Sequence, residues 1–216
     1  MSVPEGPVLL TGFEPFDGRP TNASWDAVRA VAAGWRWERR LVTACLPVSF
    51  RRARQELRAL VGAHAPAVVV AVGEAAGRGA VGLERVAVNV IDARIPDADG
   101  SAPVDVPVVA GAPTAFLSTL PLKAAHRAVQ ALGVPVEVSG TAGTYVCNAT
   151  FYALQHLLAR TPQVRGGFVH VPCVPGQAAD GTVGLPTADA ARALAATIEL
   201  ALSREGDERT SAGTLD

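Results

Sequence analysis

Ala65-Pro66-Ala67-Val68-Val69-Val70-Ala71-Val72 is the longest apolar stretch of the chain, and it stops at Gly73-Glu74. It falls well short of the roughly 20 residues a helix needs to cross a bilayer. A short apolar run bounded by a breaker reads as a buried strand. Upstream, Phe50 to Val61 sets Phe50, Ala53, Leu57 and Leu60/Val61 on one face, while Arg51, Arg52, Arg54, Glu56 and Arg58 face out. That is the period of a helix lying on a core. Outward from this pair the theme repeats. Val8 to Thr11, Arg40 to Leu46, Val136 to Ser139 and Gly167 to Val171 read as strands. Leu122 to Leu132 and Thr187 to Ser203 read as helices, the second with Thr187 expected as N-cap and Leu194, Ile198 and Leu202 on one stripe. Strand and helix alternate, which is the signature of an α/β fold.

Between Val81 and Pro121 the pattern loosens around Pro96, Pro103, Pro107 and Pro113, leaving an expected strand from Glu84 to Asp92, extended loops and a hairpin. The tail from Arg204 to Asp216 is polar, lacks apolar periodicity and is expected to fray. With 216 residues and 49% apolar content, the chain has material for one sizeable core. Its 19 basic and 20 acidic residues give no electrostatic footprint for nucleic acid or an anionic membrane. The N-terminus lacks a basic, then apolar, export signal. Three widely spaced cysteines, Cys45, Cys147 and Cys173, fit a reducing cytoplasm better than a disulfide framework. The sequons at Asn22 and Asn148 are then chance matches.

The strongest local signal is Ser139-Gly140-Thr141-Ala142-Gly143-Thr144-Tyr145-Val146-Cys147-Asn148, where a strand ends, a glycine turn follows and a helix begins near Cys147. The positive end of a helix favours a thiolate, and the same amides suit an oxyanion. Cys147 is equally readable as a small buried apolar residue; for Cys45, inside an apolar strand, that plainer reading is adopted. Of four histidines, His64, His126 and His156 lie on helical or loop surfaces, whereas His170 closes the strand Gly167-Phe168-Val169-His170-Val171. Carboxyl ends of strands in open α/β sheets are where ligands bind. Glu84, opening an alternating apolar strand, is a candidate to orient that imidazole, or simply a solvated strand-end glutamate. The placements alone leave these alternatives open.

Four blocks in order resemble the pyrrolidone-carboxylate peptidase family, also called pyroglutamyl peptidase type I, over about residues 8 to 202. They are Thr11-Gly12-Phe13-Glu14-Pro15-Phe16; Glu84 to Asn89 with Asp92 to Asp97; Ser139 to Asn148; and Phe168 to Pro172 with Pro175 and Gln177. The resemblance implies Cys147 as nucleophile, His170 as base and then acid, and Glu84 as orienter of His170. It implies Arg94 beside the oxyanion, the alternative being an ion pair with Asp92 or Asp97, and Phe13 and Phe16 as pocket walls. The implied substrate is a peptide with an N-terminal pyroglutamyl group. Because that group locks its nitrogen in a lactam, its pocket needs flat apolar walls and amide partners and no acid to grip an ammonium. Gly82, Gly140, Glu74 and Asp17 depart from the family pattern; Gly82 could loosen the strand bearing Glu84, and the charge of Glu74 could alter substrate preference.

Other chemistries are poorly supplied. His170 and Cys173 offer only two metal ligands in one place, and no serine elbow, dinucleotide fingerprint or P-loop occurs. The full expectation is a single α/β domain over residues 1–204, with a mixed, mostly parallel twisted sheet flanked by helices on both faces. It acts as a cytoplasmic cysteine omega-peptidase without metal or cofactor. By resemblance it is a homotetramer. A non-catalytic binding protein on the same fold and a cysteine amidohydrolase for another lactam or amide are the alternatives.

Overall fold

A computed structural model describes residues 4–177 and 183–213 of the chain. In order, the elements are β1 (Val8–Phe13), α1 (Ala23–Ala33), β2 (Leu41–Leu46), α2 (Arg52–His64), β3 (Val68–Glu74), β4 (Val81–Glu84) and β5 (Val86–Val88). There follow β6 (Ala115–Leu117), α3 (Leu122–Ala131), β7 (Val136–Ser139), α4 (Val146–Leu158), β8 (Arg165–Val171) and α5 (Thr187–Ser203). Six strands hydrogen-bond in the order β2-β1-β3-β8-β4-β7. The first four are mutually parallel, while β4 runs antiparallel to β8 and parallel to β7. The mixed, mostly parallel sheet is therefore the one expected.

The run at Val68 is uniformly apolar because neither face of β3 is wet. Val68, Val70 and Val72 join Val8 and Leu10 in a core shared with α1, α3 and α5, whereas Val69 and Ala71 join Leu9 in a second core under α2 and α4. Alternate side chains thus feed two cores, and helices cover both faces. α2 starts at Arg52, two residues after the expected Phe50, where Ser49 Oγ accepts from the Arg52 amide at 3.1 Å.

Two details differ from the sequence reading, and a third adds to it. The strand expected from Glu84 to Asp92 is two strands in two sheets. At Arg85 the backbone leaves β4, donating to Ser139 O and accepting from Ser118 N, and β5 then pairs with β6 as an antiparallel hairpin. Thr187 is the first residue of α5 and not its cap; Pro186 holds the N-cap position and has no side-chain acceptor. Asn22, read as a chance sequon, is the N-cap of α1, its Oδ1 accepting from Ser24 N at 3.0 Å. Among the described residues no helix is long and apolar enough to cross a membrane.

Beyond α5 no helix or strand forms up to residue 213, and the last part of the expected tail, 214–216, lies outside the described residues. Within the described part, the Asp207 carboxylate accepts from the amides of Lys123 and Ala124 at 3.0 to 3.1 Å. It caps α3, whose own N-cap residue, Pro121, cannot. Asp207→Ala is expected to lower stability by about 1 kcal/mol, seen as a lower urea midpoint at unchanged slope.

Candidate active site

Cys147 is the second residue of α4, behind an N-cap, Tyr145, that makes no side-chain capping bond. No side chain therefore competes for the positive end of this helix, which favours a thiolate. The helix is seated by Asn148, whose Oδ1 accepts from Val88 N at 3.0 Å while its Nδ2 donates to Val88 O and Val90 O at 2.9 Å. At the facing strand end, a Cβ on Gly73 would stand 2.8 Å from Cys147 Sγ and 2.8 Å from the Phe168 ring. Only glycine lets the thiol come this close to the sheet. Cys45 differs: burial, helped by Glu14 and Glu56, pushes its thiol up to about 11, so it stays protonated at neutral pH.

His170 reaches the same place from β8. It stands beside Gly73 on the parallel strand β3 and beside Gly82 on the antiparallel strand β4. Glu84 lies two residues further along β4, on the same face as Gly82. Its Oε1 is 2.7 Å from His170 Nδ1, and the carboxylate has no exposed surface. With Nδ1 held by the carboxylate, Nε2 is the nitrogen left for Cys147. Burial alone would push the His170 pKa down, but the charge of Cys147, its hydrogen bond to the ring, and Glu84 together raise it to about 9. Cys147 and His170 are thus electrostatically coupled, with Glu84 behind the ring.

Gly82 has a physical reason. A Cβ there would meet Arg78 Nη1 at 2.5 Å, because the Arg78 guanidinium fills that space. From it Arg78 donates to Glu84 Oε1 at 2.7 Å and to Thr141 O at 2.8 Å. The strand is not loosened; the missing side chain is replaced by a cation on the carboxylate. Sequence reasoning missed Arg78, which sits in a loop without periodicity.

Cys147 opens into a cavity of about 240 Å³ whose walls include Phe13, Phe16, Ile95, Tyr145 and Val146. Phe13 packs on Phe168 at 6.4 Å, Phe168 on His170 at 4.9 Å, and Phe16 on Tyr145 at 6.1 Å between ring centroids. Phe13 and Phe16 both line the cavity; Tyr145 is an aromatic wall that was not foreseen, though it lies two residues before Cys147. Its hydroxyl donates to Pro96 O at 2.9 Å, and burial raises its pKa to about 12. Arg94 is exposed beside Ile95, and the ion pair with Asp92 or Asp97 does not form among the described residues. The Asp97 carboxylate is occupied by the amides of Phe50, Asp99 and Ser101. A larger cavity, about 360 Å³ between α2 and α4, contains none of the candidate catalytic groups. Among the described residues no group of three or more His, Cys, Asp or Glu could hold a metal ion.

The profile of the Pyroglutamyl peptidase family matches residues 7–204. The chain belongs to the pyroglutamyl peptidase family. A protein named pyrrolidone-carboxylate peptidase from Cupriavidus necator is 47% identical over 96% of this chain and 98% of its own length. One of the same name from Clavibacter michiganensis is 46% identical over 97% and 99%. The crystal structure of pyroglutamyl peptidase I from Bacillus amyloliquefaciens superposes with a TM-score of 0.91 at 37% identity, covering 96% of this chain and all of that one. The similarity spans nearly the whole chain.

Because the charge and hydrogen bond of Cys147 are the larger influences raising the His170 pKa, Cys147→Ala is expected to let the imidazole titrate well below 9. An NMR titration of the His170 ring proton checks this; an unchanged titration in the alanine variant would mean that the two groups are not coupled.

Proposed function

We propose that this chain removes an N-terminal pyroglutamyl residue from peptides as a cysteine omega-peptidase. The observation that carries the reading is the convergence of Cys147, His170 and Glu84 beside an aromatic cavity, in a chain of the pyroglutamyl peptidase family. The Cys147 thiolate attacks the carbonyl that joins the lactam residue to the next nitrogen. The negative charge forming on that oxygen faces the first-turn amides of α4, with Arg94, next in sequence to the wall residue Ile95, as the cation that the family resemblance puts beside it. His170 gives its Nε2 proton to the departing amine, and the bond to nitrogen breaks as the thioester forms. Water, deprotonated by His170, then attacks the thioester, releasing pyroglutamate and the thiolate. Phe13, Phe16 and Tyr145 supply flat apolar walls for the lactam.

The reading includes one peptidase domain over residues 1–204, a cytoplasmic protein that needs no metal or cofactor, and a homotetramer by family resemblance. The unpaired state of Cys45, Cys147 and Cys173 supports a reducing compartment.

The deciding experiment is hydrolysis of a chromogenic pyroglutamyl amide beside the prolyl and glutamyl amides, with and without a thiol alkylator. Release from the pyroglutamyl amide alone, lost on alkylation and in Cys147→Ala, is the expected result. A folded, reduced protein that releases nothing would favour a binding protein, and release from another amide would favour an amidohydrolase. Turnover is expected to fall as pH rises through about 9, where His170 loses the proton that the leaving amine needs. Arg78→Met, which takes one of two charged donors from Glu84 Oε1, is expected to reduce kcat by roughly tenfold with KM little changed. A wild-type kcat would remove Arg78 from the machinery.

A further inference from the structure

Glu74, the last residue of β3, stands on the wall of the Cys147 cavity with its side chain only 8% exposed. Its Oε2 accepts from the amide of Ala23, the first residue of α1, at 2.7 Å, and its Oε1 is paired with the guanidinium of Arg19. Arg19 lines the same cavity. The remaining ionisable groups there do not upset this balance. Asp17 is exposed at the rim, where solvent screens it, the Tyr145 phenol, raised by burial to about 12, is uncharged at neutral pH, and Cys147 has His170 beside it. The apolar chamber is therefore bounded by a carboxylate whose charge is cancelled within the wall.

That balance bears on selectivity. A pyroglutamyl ring and an N-terminal prolyl ring have nearly the same size and shape, and flat apolar walls cannot tell them apart by fit. They differ at the ring carbonyl, which the lactam alone carries, and in charge at nitrogen, an uncharged amide N–H in one and a protonated amine in the other. A wall without net charge leaves the desolvation of the amine uncompensated, whereas a bare carboxylate would offset it. We infer that Arg19 is a specificity-determining residue: by neutralising Glu74 it makes the chamber accept a lactam and reject an N-terminal ammonium group. This rests on the proposed reaction and goes further, because it makes charge in the wall, and not shape, the basis of discrimination.

The test compares kcat/KM for pyroglutamyl and prolyl amides in the full-length protein and in four variants, each checked for native circular dichroism. Arg19→Gln is expected to reduce the pyroglutamyl-to-prolyl ratio at least about tenfold, through a higher KM for the first substrate and gained turnover of the second. Arg19→Lys keeps the charge and the ratio. Arg19→Gln combined with Glu74→Gln restores selectivity, and Glu74→Gln alone retains it. An unchanged ratio in folded Arg19→Gln overturns the inference, as does a double variant no more selective than Arg19→Gln, which would mean that Arg19 acts by geometry. Should Arg19→Gln not fold, prolyl turnover by Glu74→Gln overturns the inference and its absence supports it. The parent reading fails in a separate arm, wild-type protein inert on the pyroglutamyl amide. Binding then decides: stabilisation of Arg19→Gln but not of wild type by prolinamide supports the charge argument, and equal stabilisation overturns it.

Discussion

A carboxylate with no exposed surface, set in the middle of a sheet, must be matched by cations or it will not stay charged. Glu84 is in that position, and much of the local architecture follows from it. One oxygen serves both the imidazole of His170 and the guanidinium of Arg78. For His170 to arrive, β4 must run antiparallel beside β8, the one reversal in an otherwise parallel set of neighbours around the centre of the sheet. For Arg78 to arrive, residue 82 must have no side chain. The strand direction, the glycine and the arginine are three answers to one electrostatic demand.

The proposed nucleophile is supplied differently. Cys147 sits at a helix terminus, so its position depends on how α4 is docked. Asn148, buried directly behind it, ties the first turn of α4 to both the N–H and C=O groups of β5 and onward to Val90. The short β5–β6 hairpin is thereby more than a surface ornament, since it is the bracket that sets the height of the thiol against β3. Phe168 then links the two halves of the site, lying between Phe13 of the pocket wall and the ring of His170.

Periodicity made the fold legible. The apolar run at Val68, the amphipathic stretch after Phe50 and the strand ending at His170 each carry their own signature, and the sheet assembles from them. Cys147, His170 and Glu84 were legible for a related reason: each is a reactive residue where a periodic element begins or ends. Arg78, Arg19 and Tyr145 were not, because loops carry no period and their roles exist only through partners distant in sequence. The break at Arg85 was hidden too, since an alternating apolar pattern continues through it while the hydrogen-bond partners change. Gly82 and Glu74, read as departures, each acquire a cationic partner in the folded chain, so a residue atypical in isolation is compensated by a second one.

The pairing of Glu84 with His170 joins positions 86 residues apart. Contacts of such separation form late, since a long loop must be closed before they yield any stability. During synthesis, a chain that has emerged only as far as α4 has its thiol on the helix and Arg78 to pair with Glu84, but lacks the imidazole that joins the two. Hydrolytic competence is therefore tied to insertion of β8 between β3 and β4, a step that also completes the sheet. On the proposed mechanism a nascent or partly folded molecule is inert toward its neighbours, and the appearance of activity reports closure of the central sheet.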